Sequence, residues 1–123
     1  MNAIYISFYN ERGEITGSIG ADAQGIQANK DRAEHPWVDG DWYGKDVYVS
    51  NGGVHPRPVN PARLDGMTLR EMPTPGTIHI GDAQYPYDTP TVELEFEHPG
   101  TYKVRVEAWP HLDKEFEVEN PPR

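Results

Sequence analysis

Histidines, serines, carboxylates and one tight group of tryptophans and tyrosines are the side chains of this 123-residue sequence that could do chemistry. A metal site is the first possibility, from His35, His55, His79, His98 and His111. None forms a His-x-His or His-x-x-x-His pair, and His35, His55 and His98 each precede a proline, which places them in turns or extended loops. Asp39-Gly40-Asp41 has the start of a calcium loop but lacks the later oxygen ligands and the closing bidentate Glu. For nucleophilic catalysis there are Ser7, Ser18 and Ser50, with no Gly-x-Ser-x-Gly elbow. Ser7 falls on the outward phase of an alternating strand and Ser50 begins a turn, so structural need accounts for both. A glycosidase pair would require two acids across a cleft, whereas the glutamates here alternate along solvent faces. The expectation is no enzyme, no metal and no cofactor.

The aromatic group is different in kind. Trp37, Trp42, Tyr43 and Tyr48 are interleaved with Asp and Gly. Such rings can fill a core, anchor a protein partner, or form a platform for sugar rings with carboxylates accepting from hydroxyls. Trp109 joins them as a partner-binding candidate, because its phase sets it opposite Tyr102, Val104 and Val106.

The elements that would carry these residues are mostly strands. Residues 1–19 read as a β-hairpin: Ile4, Ile6 and Phe8 alternate with Tyr5, Ser7 and Tyr9, and Asn10-Glu11-Arg12-Gly13 supplies the turn. Residues 21–34 contain helix formers interrupted by Gly25, and suit a short helix or a surface loop equally. Residues 47–50, the turn Asn51-Gly52-Gly53 and Val54 form a second hairpin. Residues 56–61 carry three prolines, cannot continue a ladder and read as a polyproline-like connector, with Arg57, Pro58, Asn60 and Pro61 as candidate docking residues.

Beyond the connector, short strands follow at regular spacing. Ile78 and Ile80 share a face, as do Tyr85 and Tyr87. Val92, Leu94 and Phe96 alternate with Glu93, Glu95 and Glu97; Tyr102, Val104 and Val106 alternate with Lys103, Arg105 and Glu107; and Phe116 and Val118 alternate with Glu115, Glu117 and Glu119. A turn at His98-Pro99-Gly100 would fold Glu93, Glu95 and Glu97 opposite Lys103 and Arg105, so that charge and apolar phase specify one register. The expected organisation is an N-terminal hairpin module over 1–55, a proline-rich linker over 56–66, and an immunoglobulin-like antiparallel β-sandwich over 67–120.

Composition sets outer limits. Hydrophobic residues make 36% of the chain and aromatics 11%, so the apolar surface is concentrated in a few rings and a thin, sheet-like core. Twelve Gly and twelve Pro exclude a helical bundle. A net charge of -9 argues against nucleic acid, and the absence of Cys excludes disulfides, thiolate chemistry and Cys-ligated zinc. No run is long enough to cross a bilayer and the start lacks a signal-peptide pattern, so no membrane is expected and the chain belongs in a cytoplasm or in something assembled there.

One resemblance covers about the last two thirds of the chain. The stretches YVSNGGVHPRPVNPARLDGMTL, MPTPGTIHI and ELEFEHPGTYKVRVEAWPHLDKEFEVE resemble small proteins encoded among the structural genes of tailed bacteriophages. NPARLDG and EAWPHLDKEF are the most distinctive parts, and ERGEITG near the start is similar more loosely. The resemblance implies a virion component of the tail or baseplate region, or a capsid decoration, assembled in the host cytoplasm. Other virion proteins would be its partners and it would form a homo-oligomer. It carries no catalytic residues. Two other functions fit the residues: a host-surface carbohydrate-binding module, and an intracellular assembly chaperone or acidic inhibitor using Glu93, Glu95, Glu97, Glu115, Glu117 and Glu119 as a nucleic-acid mimic.

Overall fold

The computed structural model describes residues 3–121 and divides the chain into two compact units, Met1–Arg57 and Pro58–Arg123. Both are built mainly from antiparallel β-sheet. Met1 and Asn2, where the first hairpin is expected to begin, lie outside the described residues.

In the first unit, β1 (Ile4–Tyr9) and β2 (Ile15–Ala21) form the hairpin that alternation anticipates. Its turn is organised by Asn10, whose Oδ1 accepts from the backbone N–H groups of Arg12 and Glu14, both at 3.0 Å. Gly13 is fixed by its surroundings: its φ is +80°, and a Cβ there would run into the carbonyl of Val49. The short β3 (Trp37–Asp39) adds to the other side of β1, giving the order β2-β1-β3 and making β1 the central strand.

Residues 23–32 are helical rather than looped. Asp22 caps α1 (Ala23–Arg32) by accepting from the Gly25 N–H at 2.8 Å, and Lys30 and Arg32 occupy the last turn, where cations oppose the helix dipole. Lys30 reaches Trp37 and Asp39, so α1 lies on the sheet face that the register shares with Ile6 and Phe8. Ile26 is the buried residue of α1. β4 (Val47–Ser50) and β5 (Gly53–Pro56) form the second hairpin, tied to the first by the Val49 N–H donating to the Gly13 carbonyl at 2.9 Å.

The second unit has two sheets. β6 (Arg63–Asp65), β7 (Thr68–Arg70) and β10 (Val92–Glu93) make a small sheet of order β10-β7-β6. β8 (Gly76–Ile80), β9 (Ala83–Tyr87), β11 (Gly100–Glu107) and β12 (Lys114–Asn120) make a larger one of order β12-β11-β8-β9. Leu69 and Leu94 meet Ile78, Val104, Val106 and Val118 in a single dry core. Tyr87 closes it near Gly76, where a Cβ would collide with the Tyr87 hydroxyl. That hydroxyl donates to the Pro73 carbonyl at 2.6 Å, and burial raises its pKa above the ordinary tyrosine value. Both outer strands of the larger sheet carry residues that oppose further pairing, Pro86 in β9 and the glutamates of β12.

Two expectations need correction. Glu93, Glu95 and Glu97 do not face Lys103 and Arg105 across a Pro99-Gly100 hairpin. Each strand has two edges, and those of β11 are taken by β12 and β8, with Lys103 opposite Glu117 and Arg105 opposite Glu115. The chain at 92–94 is bound instead to the small sheet, through β7 and the Met67 carbonyl. The second correction concerns residues 56–66, which are not an extended connector throughout. The boundary between units falls after Arg57, β6 begins at Arg63, and Asn60 is only 2% exposed.

Candidate functional site

Ser7 is the most constrained polar group in the first unit, and it is fully buried rather than outward-facing. The cause is its place on the central strand, with α1 over one face of the sheet and residues 40–43 over the other. Its Oγ lies 2.7 Å from the Gly40 carbonyl, 2.7 Å from Ser18 Oγ and 2.8 Å from the Trp42 N–H. A carbonyl can only accept, so the one Ser7 proton goes to Gly40. Ser18 must then donate to Ser7, and the second Ser7 lone pair takes the Trp42 amide. Ser18 Oγ in turn accepts from the Tyr43 N–H at 3.1 Å. The arrangement leaves Ser7 with no spare proton or lone pair. It is a clamp that holds a loop, with nothing left for nucleophilic work.

What the clamp holds is part of the aromatic group. Trp42 is half-buried and folds back over Gly40, its indole N–H donating to the Asp39 carbonyl at 2.8 Å. Tyr43 is 62% exposed. Trp37 lies on the other face of the sheet, where the Lys30 ammonium sits 4.0 Å from its ring centroid. Tyr48 is half-buried, its ring 5.6 Å from that of His55. The rings expected to act together are therefore distributed: Trp42 and Tyr43 on the loop face, Trp37 beneath α1, Tyr48 on β4, and Trp109, half-buried, in the second unit.

The expected linker residues also separate. Arg57 belongs to the first unit, its N–H donating to the Asp46 carbonyl at 3.0 Å. Pro58 accepts from the Leu112 N–H at 2.9 Å. Asn60 Oδ1 accepts from the Ala62 N–H at 2.9 Å, with its amide nitrogen 3.5 Å from the Val106 carbonyl. Pro61 is exposed. Of the histidines, His79 is paired with Glu107 at 2.8 Å.

A site that alternation alone does not reveal opens in the second unit. Ile78, Ile80 and Tyr85 on the larger sheet, the segment 92–98 and Tyr102 line a groove of about 580 Å³. Phe96 and Tyr102 stack within it at 4.0 Å between centroids and 7° between planes. The Tyr102 hydroxyl and the Asn120 amide both donate to the His98 carbonyl at 2.7 Å, fixing the end of the segment without a strand ladder. The small sheet stops at Glu93, so the larger sheet extends past it and its rings stay uncovered: Tyr85 is 52% exposed. Sequence phase assigns Tyr85, Phe96 and Tyr102 to an inner face. The shortness of the covering sheet depends on contacts far apart in the chain and leaves no local signal.

No family model, curated protein or solved structure matches this chain.

Proposed function

We propose that this chain is a non-enzymatic structural component of a tailed-bacteriophage particle, in the tail or baseplate region, that works by docking onto other virion proteins. The observation that carries the reading is where the phage-like residues sit. The segments around NPARLDG and EAWPHLDKEF are held together: the Asn60 amide nitrogen lies 3.5 Å from the carbonyl of Val106, the residue before EAWPHLDKEF, and Pro58, two residues before NPARLDG, accepts from Leu112 at 2.9 Å. Residues that brace a scaffold are what building parts of one kind would hold in common. On this reading the second unit is a reduced immunoglobulin-like sandwich, Tyr43 with Trp42 offers the partner contact, and copies repeat around the particle.

Mass spectrometry of purified particles tests it. The expected result is this chain at a fixed ratio to the major capsid protein. Abundance in infected cells with absence from particles would defeat the proposal. A host-surface carbohydrate module is favoured by one observation, the Tyr43 ring standing exposed while its amide is held by Ser18. That reading expects Tyr43→Ala to abolish glycan retention without moving the melting temperature. The nucleic-acid mimic has less support, because Glu93 on β10, and Glu95 and Glu97 in the irregular chain after it, do not lie on a strand that neighbours β12, which carries Glu115, Glu117 and Glu119.

A further inference from the structure

We propose that the groove of the second unit receives an extended segment of a partner protein in which apolar residues alternate with Lys or Arg. The proposal does not depend on the chain being part of a phage particle.

Three observations carry it. The first is capacity: about 580 Å³ lined by Ile80, Tyr85, Phe96 and Tyr102 is the size and character of a peptide or ligand site, and its rings are left partly in water by the chain's own fold. The second is charge. Glu93, Glu95 and Glu97 line the same groove, and no ion pair among the described residues includes any of them. The cations that alternation would assign to them are across from Glu115 and Glu117 instead. An apolar floor with an uncompensated acidic rim is complementary to a basic occupant. The third is period. Val92, Leu94 and Phe96 alternate with the three glutamates over a span of which only Val92 and Glu93 pair with a strand, β7, and an extended occupant shares that period of two.

A second copy of this chain fits poorly. Its net charge is -9, and its own segment of the required pattern, Tyr102-Lys103-Val104-Arg105-Val106, is held inside the larger sheet between β8 and β12.

The test uses the full chain and a fluorescently labelled ten-residue peptide alternating Lys with Leu, followed by anisotropy at low and high salt. Binding is expected at low salt and weaker at high salt. The triple variant E93Q/E95Q/E97Q is expected to weaken it about tenfold, and E115Q/E117Q/E119Q, which removes the same charge elsewhere, by less than about twofold. Tyr85→Ala, at an exposed ring, is expected to weaken it about tenfold with the fold intact by circular dichroism. Replacing Leu by Ser in the peptide should also lose binding. Equal losses from the two triple variants would overturn the proposal by reducing it to net charge. So would no binding, or sedimentation showing a dimer of the chain alone that Tyr85→Ala dissociates.

Discussion

Ser7→Ala removes a hydroxyl that makes three hydrogen bonds at zero exposure, and the size of the loss follows from the partners it strands. Each bond contributes about 1 kcal/mol net, and an amide or carbonyl left buried without a partner costs more, about 1–3 kcal/mol. Gly40 and Trp42 are only half-buried, so water can reach them once the loop loosens. The expected cost is therefore about 2–3 kcal/mol, a large share of the ~5–15 kcal/mol that holds a small domain together. Ser18→Ala loses its bond to Ser7 and its bond from Tyr43, and should cost about 1–2 kcal/mol. Because one bond is common to both variants, the double variant should cost about 1 kcal/mol less than the sum of the singles. Urea unfolding followed by tryptophan emission in a Trp109→Phe background confines the signal to Trp37 and Trp42 of the first unit. Amide exchange at Trp42 reports the clamp directly and should accelerate in Ser7→Ala. A cost below about 0.5 kcal/mol, or strict additivity, would refute the proton assignment and the clamp with it.

Two further predictions concern the second unit. Tyr87 has a raised pKa because burial disfavours the phenolate, so its contribution to stability is complete below the ordinary value of 10.0 and is lost as pH rises through the higher folded value. Urea midpoints should fall above that pH in the native chain. They should not fall there in Tyr87→Phe, which begins about 1 kcal/mol lower because the Pro73 carbonyl loses its donor. Asn60→Ala should cost about 2 kcal/mol by chemical denaturation, since the Ala62 amide and Val106 carbonyl lose a buried partner. A value near zero would mean that residues 58–62 are a connector after all.

What could be read from the sequence was whatever is set within a few residues. The in-and-out phases of Tyr102 to Val106 and Phe116 to Val118 emerge as expected, because a strand's period is a local property. The hairpin turns at Asn10 and Asn51 are local too. Partner choice is not. Nothing near Glu95 indicates that both edges of β11 are already taken by strands before and after it. Alternation puts Ser7 on the face opposite Ile6 and Phe8, but it does not say what covers that face, and a loop from residues 40–43 buries it. In the same way, prolines at 56, 58 and 61 describe a stiff backbone while leaving open where the Asn60 side chain goes. The aromatic group shows the same limit: Trp37 sits on a strand and Trp42 in a loop, so nearness in sequence does not put them on one surface.

The two outer strands of the larger sheet limit how copies of this protein can be joined through it. Pro86 offers no amide to a newcomer alongside β9, and at β12 an added strand would have to lie against Glu115, Glu117 and Glu119. Growth into a continuous ribbon is blocked at both margins. Copies of the protein cannot be joined by extending the larger sheet, so an assembly that uses this unit's large sheet must meet it through a side-chain face.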